Sequence, residues 1–278
     1  MNFYKILVMN SKGGSGKSTV ATQVVLPWLF TRAYNQKIAL YYEFDDENNH
    51  SWPFPNSVIA RSIPVQVSQT DLRTKVTDIL LQKECSVCID VGANKTSIAL
   101  QQALFDTGMI HAIDIVIIPM MDGEVDALNA IALAKAVREA SDVPILFALN
   151  RHNEMRELES QFNLFLGDKR DFIQEDGLIN QLPLSDRDYF VIRDSDAIKY
   201  SRLFGVTLWE VSQLDKDFDR EIRNAMRNNN VSSDEIRFMS FKKGIYQDCL
   251  NYNDDVLAPI FKMLDSTVDN NTIHLIAL

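Results

Sequence analysis

The chain has 278 residues, 46% of them hydrophobic, and a formal net charge of −10. That length supports one large α/β domain and is too short for two substantial ones. The acidic balance excludes whole-surface attraction to nucleic acid or anionic lipid, so only a local basic patch could provide it, and no run of about 18 apolar residues is available to cross a bilayer.

The first predicted strand begins at Tyr4, which leaves no room for a basic-then-apolar secretory segment. It runs straight into Lys12-Gly13-Gly14-Ser15-Gly16-Lys17-Ser18-Thr19 and then a helix over Thr19–Ala33, kinked at Pro27. A strand, a glycine-rich turn and a helix in that order make a phosphate-binding loop. Gly13, Gly14 and Gly16 let backbone N–H groups close on phosphate oxygens, and the helix start adds its dipole. Lys17 brings a charge to the β- and γ-phosphates, and the Ser18 hydroxyl can ligate Mg²⁺.

The common loop pattern places Gly five residues before Gly16, where this chain has Ser11. The stretch from Lys12 to Thr19 instead resembles the deviant Walker A box of the ParA/MinD family of ATPases, whose hallmark is an additional lysine, here Lys12. The resemblance implies ATP and Mg²⁺ as cofactors and a homodimer formed on ATP, with Lys12 touching the partner's phosphates.

The second strand, Lys37–Tyr42, leads into Glu43-Phe44-Asp45-Asp46-Glu47. By the same resemblance Asp45 orients the water that attacks the γ-phosphate, with Asp46-Glu47 replacing the usual Pro-Gln. Residues 48–61, with Trp52 and Phe54, read as an irregular excursion. A short strand at Ile63–Val67 precedes a capping box, Ser68 to Asp71, and a helix carrying Leu72, Val76, Ile79 and Leu80. Ser86–Asp90 is a buried strand ending in an acid. Asp90 can hold a Mg²⁺-bound water, and Gly92 behind it can offer its N–H to the γ-phosphate. Cys85 and Cys88 have the spacing of a metal or redox pair, with core packing as the alternative; with Cys249 the chain has three cysteines, which argues for a reducing cytoplasm.

Further on, Thr96–Met109 is helical, Ile113–Pro119 a strand buried on both faces, Val125–Ala140 an Ala-rich helix and Val143–Asn150 a strand. Asn150 occupies the place of the family's adenine-binding asparagine. A helix at Met155–Leu166, a last strand at Leu182-Pro183-Leu184, and a loop from Ser185 to Tyr189 that completes the base pocket follow. Two C-terminal helices, about Leu208–Asn228 and Ser233–Leu264, make 208–278 a helical extension of a single domain. Lys216, Arg220, Arg223 and Arg227 form a cationic stripe that could bind DNA without sequence preference, or simply face solvent beside its acidic neighbours. Thr272–Leu278 lacks the basic amphipathic helix that MinD uses on membranes.

The expected fold is therefore α/β, a doubly wound, mostly parallel sheet with helices on both faces, plus C-terminal helices. The resemblance covers about residues 1–210 and implies a slow, partner-stimulated ATPase in plasmid partition, mobilisation or intracellular positioning, with a ParB-like or relaxase-associated partner. The alternatives are a metabolic or metal-carrier enzyme on the same scaffold, or a nucleotide-binding scaffold with little hydrolysis.

Overall fold

Strands and helices alternate along the computed structural model, which describes residues 3–33, 37–44, 52–66, 71–93, 95–170, 174–228 and 230–276, with side chains as far as 269. The order is β1 (Lys5–Val8), α1 (Lys17–Val20), a π turn (Ala21–Val25), α2 (Leu26–Arg32), β2 (Ala39–Phe44), β3 (Ala60–Val65), α3 (Leu72–Leu80) and β4 (Val87–Val91). Next come α4 (Lys95–Asp106), β5 (Ile115–Met120), α5 (Glu124–Ala140), β6 (Ile145–His152), α6 (Leu158–Gln161), α7 (Asn163–Leu166), β7 (Gly167–Asp168), β8 (Glu175–Asp176) and β9 (Tyr189–Arg193). The chain ends in α8 (Asp196–Tyr200), α9 (Leu208–Ser212), α10 (Phe218–Arg227), α11 (Ser233–Tyr252) and α12 (Ala258–Ile276).

Seven strands pair in parallel in the order β3-β2-β4-β1-β5-β6-β9, and β7 and β8 form a separate small hairpin. Every residue of β4 and β5 is buried, as expected for strands apolar on both faces. One face of the sheet packs on α3, α4 and α5 through Leu72, Val76, Leu100, Leu104, Ile131 and Val137. The other is covered by α1, the π turn and α2, and by the C-terminal helices, whose Leu208, Ile245, Tyr252, Ile260 and Leu264 join Val20, Val24 and Trp28 in one core. Helices on both faces leave the carboxyl ends of the strands as the open edge where a ligand can enter.

Pro27, where a kink is expected, sits at the start of α2 directly after the π turn. The wider hydrogen-bond ring of a π turn accommodates the N–H that proline lacks. The last strand is β9, and Leu182-Pro183-Leu184 is not a strand. Among the described residues β9 pairs only with β6, so its pattern alternates partly and fully buried residues and gives a weaker apolar signal than the central strands. The proposed helix at Met155–Leu166 starts only at Leu158 and is two short pieces ending at Gly167, whose φ of 94° turns the chain into the β7–β8 hairpin. A Cβ there would lie 2.6 Å from the Glu175 carbonyl oxygen. Ser68 of the proposed capping box lies outside the described residues.

Asp265 on α12 ties the last helix to α2. It accepts hydrogen bonds from the Trp28 indole at 3.0 Å and the Arg32 Nε at 2.6 Å, and also pairs with the Arg32 terminal nitrogen. Burial opposes the charge on Asp265, but the Arg32 and Trp28 hydrogen bonds outweigh it and hold the carboxyl below its usual range. A carboxyl with a lowered folded value contributes stability above its unfolded pKa and loses it as pH falls through the lowered one. Asp265→Asn should cost about 1–2 kcal/mol at pH 7 in urea unfolding, a figure discounted for partial exposure, and the gap to wild type should close below about pH 4. A gap that persists at low pH would show that the pair is not the origin of the difference.

Candidate phosphate site

The loop between β1 and α1 is held in shape from two sides. The Asn10 Nδ2 donates to the Pro119 carbonyl at 2.7 Å, and its Oδ1 accepts from the Lys12 N–H at 3.1 Å, which fixes the entry of the loop against β5. Gly14 and Gly16 have φ of 78° and 89°, values that L side chains rarely adopt. From the other side the Asn150 Nδ2 donates to the Ser15 carbonyl at 2.8 Å, and a Cβ on Gly16 would come within 2.3 Å of that nitrogen. Gly16→Ala should therefore cost at least ~1–2 kcal/mol from the backbone alone, with the displaced Asn150 clamp on top. An unfolding midpoint equal to wild type would disprove the clamp.

Asn150 is aimed at the loop by an irregularity at the end of β6. The register against β9 shifts between Asn150 and His152, and Arg151 sits in the left-handed region with φ 57°. One N–H of the Asn150 amide is engaged by the loop, which leaves its second N–H and its Oδ1 for other contacts. Asn150 also lines a cavity of about 90 Å³ together with Gly16, Thr19, Ile192, Asp194 and Ile198. The loop from Ser185 to Tyr189 is not among its walls. Asp186 is instead fully buried and held by Arg138 of α5 at 2.7 and 2.6 Å.

The two lysines of the loop have different partners. The Lys17 side chain is buried at 8% exposure, and its ammonium donates to the Lys12 carbonyl at 2.8 Å, so it lies folded along the loop. Lys12 reaches out and pairs with Asp126, a carboxylate 1% exposed in the first turn of α5. Asp126 is not among the residues singled out in the sequence, which marks Val125–Ala140 only as an Ala-rich helix. Ser18 and Gly13 are exposed, and Ser15 is buried with its hydroxyl donating to the Lys12 carbonyl at 3.3 Å.

Beside the loop, Asp90 stands on β4, next to β1 and opposite Val8. Its Oδ2 accepts a 2.7 Å hydrogen bond from the hydroxyl of Tyr41 on β2, another residue that sequence reading missed. Burial, and after it the Asp90 and Glu43 carboxylates, push the Tyr41 phenol well above its usual range, so Tyr41 remains a donor. The Gly92 N–H donates to the Phe44 carbonyl at 2.6 Å and ties the end of β4 to β2. Asp45, Asp46 and Glu47 lie outside the described residues.

Cys88 is fully buried, and burial with the nearby Asp90 charge pushes its thiol well up; burial and Glu84 also raise Cys85. Both lack thiolate character. Among the described residues, no group of three or more His, Cys, Asp or Glu side chains could hold a metal, and no helix is long and apolar enough to cross a membrane. Lys216, Arg220, Arg223 and Arg227 are all exposed, and among the described residues none of the four makes an ion pair. Lys216 instead lies over the Phe218 ring.

Sheet order and the alternation of strands and helices define an α/β fold of the doubly wound, parallel class, with the glycine-rich loop after β1 at its open edge. No family model matches the sequence, and neither does any curated protein. Among solved structures, the fold is similar to that of McdA from Cyanothece without nucleotide, at 14% identity over 77% of this chain and 95% of that one, with a TM-score of 0.50. The Pyrococcus furiosus cell division ATPase MinD matches at 14% identity over 77% and 93%, TM-score 0.49. A Borrelia burgdorferi plasmid partition protein bound to AMPPNP matches at 16% over 87% and 100%, TM-score 0.47.

Proposed function

We propose that the protein is an ATPase of the ParA/MinD type, which closes into a homodimer around ATP and is reset by hydrolysis. The observation that carries this reading is the two-lysine loop, with Lys17 folded along the phosphate cradle and Lys12 swung outward onto Asp126. The left-handed glycines and the open start of α1 fit a polyphosphate, since any Cβ at Gly16 would fill the space that the loop keeps against Asn150. Gly13 to Thr19 would hold the phosphates; the Gly92 N–H, which donates to the Phe44 carbonyl, would have to exchange that partner to serve the terminal one. Ser18, and Asp90 through water, would hold Mg²⁺, which when bound neutralises charge on the β- and γ-oxygens. Asp45 orients the attacking water, and the cavity beside Asn150 takes the base.

Sedimentation with ADP, with ATP and with a non-hydrolysable analogue tests this. A heavier species should form with ATP and the analogue and be absent with ADP. A monomer under all three conditions would overturn the dimer switch.

In the same reading, the exposed cations of α10 let the dimer hold DNA as a partner alongside a ParB-like or relaxase-associated protein. Two stripes give roughly eight phosphate contacts, so affinity should fall steeply with salt. Arg220→Glu/Arg223→Glu should abolish it in a titration with ATP. DNA binding that survives the double reversal would show that α10 is a solvated face.

A further inference from the structure

A second and larger cavity, about 530 Å³, borders the start of α1 at Ser18 and Thr19. It is walled by β2 through Tyr41 and Glu43, by Trp52 and Phe54, by Ile198 and Lys199 of α8, and by Arg202 in the 3-10 turn that follows α8. Its size lies within the range of small-molecule sites, and its lining has the usual make-up of one, an apolar wall with a few polar groups.

The wall is aromatic and built in. Tyr41 and Trp52 stand with ring centroids 5.3 Å apart, and Trp52 meets Phe54 edge-on at 5.4 Å. The excursion carrying them is fastened to the C-terminal half of the fold. The Asn56 N–H donates to the Gly205 carbonyl at 2.8 Å, and the Val58 N–H to Glu210 at 2.8 Å. Across from the rings, Lys199 is occupied by Asp194 and Asp196. Arg202 is exposed and, among the described residues, makes no ion pair.

Tyr41 belongs to two sites at once. Its ring lines this cavity, and its hydroxyl holds the Asp90 carboxylate at 2.7 Å. At 2% exposure it has little room to turn without carrying that hydrogen bond with it.

We propose that this cavity binds a small amphipathic anion, with a flat apolar body against Tyr41, Trp52 and Phe54 and an acidic group on Arg202, and that its occupancy is felt at Asp90 through Tyr41. The site goes beyond the ATPase reading, and its binding half stands without nucleotide. Linkage makes the second half reciprocal: whatever the anion does to MgATP affinity, MgATP does to the affinity for the anion.

Anilinonaphthalene sulfonate, an aromatic anion that fluoresces in apolar surroundings, is the probe. Without nucleotide, the full chain should bind it with one-to-one saturation. Arg202→Glu, an exposed change that leaves the fold intact, should weaken it about tenfold or more by removing a charge-assisted contact and adding a repulsive one. Trp52→Ala should weaken it as well. With the probe saturating, MgATP affinity should shift severalfold in wild type and stay constant in Tyr41→Phe, which keeps the ring and drops the link to Asp90. Probe binding unchanged in Arg202→Glu, or simple competition with MgATP, would overturn the site. A MgATP affinity that ignores the probe in wild type would overturn the coupling.

Discussion

Lys17→Ala should lower MgATP affinity by roughly 10²–10⁴-fold in calorimetry, because in the proposed function two charge-assisted contacts to phosphate would be lost at once. The loop has a second lysine, but Lys12 is paired with Asp126 and points away from the cradle in the single subunit, so it does not compensate. The apo fold should survive. The Lys12 carbonyl that loses the Lys17 donor still accepts from the Ser15 hydroxyl, and Asn150 still braces the loop from β6. A variant with wild-type melting behaviour and nucleotide affinity lowered by that factor is the expected pair of results. Unchanged affinity would mean that phosphates do not sit in this loop.

The central sheet was readable because its strands are apolar on both faces. Each of Val87–Val91 and Ile115–Met120 is buried throughout, and no helix pattern competes with such short apolar runs bounded by turns. The edge was not readable in the same way. Tyr189–Arg193 carries a half-buried pattern, and Leu182-Pro183-Leu184 looked more apolar although its proline has no N–H to give a ladder. The cavity beside Asn150 is walled by Ile192, Asp194 and Ile198, at and after the end of β9, rather than by Ser185 to Tyr189.

At the site, legibility followed local order in the chain. Strand, glycine turn and helix lie within sixteen consecutive residues, Tyr4 to Thr19, so the loop announces itself. Asp126 and Tyr41 act from far away in sequence, 114 residues from Lys12 and 49 from Asp90. Nothing in the local pattern of either distinguishes it from a first-turn acid or a strand aromatic. Asn150 was singled out by its place in the order of elements, but its hydrogen bond to Ser15 is set by the register shift at the end of β6, which no residue type signals.

The Lys12–Asp126 pair leads to two opposite results from its two halves. In the proposed dimer Lys12 leaves Asp126 for the partner's phosphate, so the ion pair inside one subunit competes with dimerisation. Lys12→Ala removes the cation that the partner needs, and the ATP-dependent species should vanish in sedimentation even where one subunit still binds nucleotide. That variant also strands a carboxylate that is 1% exposed, with one weak acceptor contact from the Met121 N–H at 3.4 Å, so some loss of stability is expected. The double variant Lys12→Ala/Asp126→Asn controls for it, restoring stability while remaining monomeric. Asp126→Asn alone keeps the shape of the contact, weakens its hold on Lys12 and frees the ammonium, so the dimer should form at lower ATP concentration than in wild type. If the hold is worth about 1.4 kcal/mol, the shift is about tenfold. A Lys12→Ala protein that dimerises on ATP like wild type, or an Asp126→Asn protein that dimerises less readily, would rule out Lys12 as the residue that crosses between subunits.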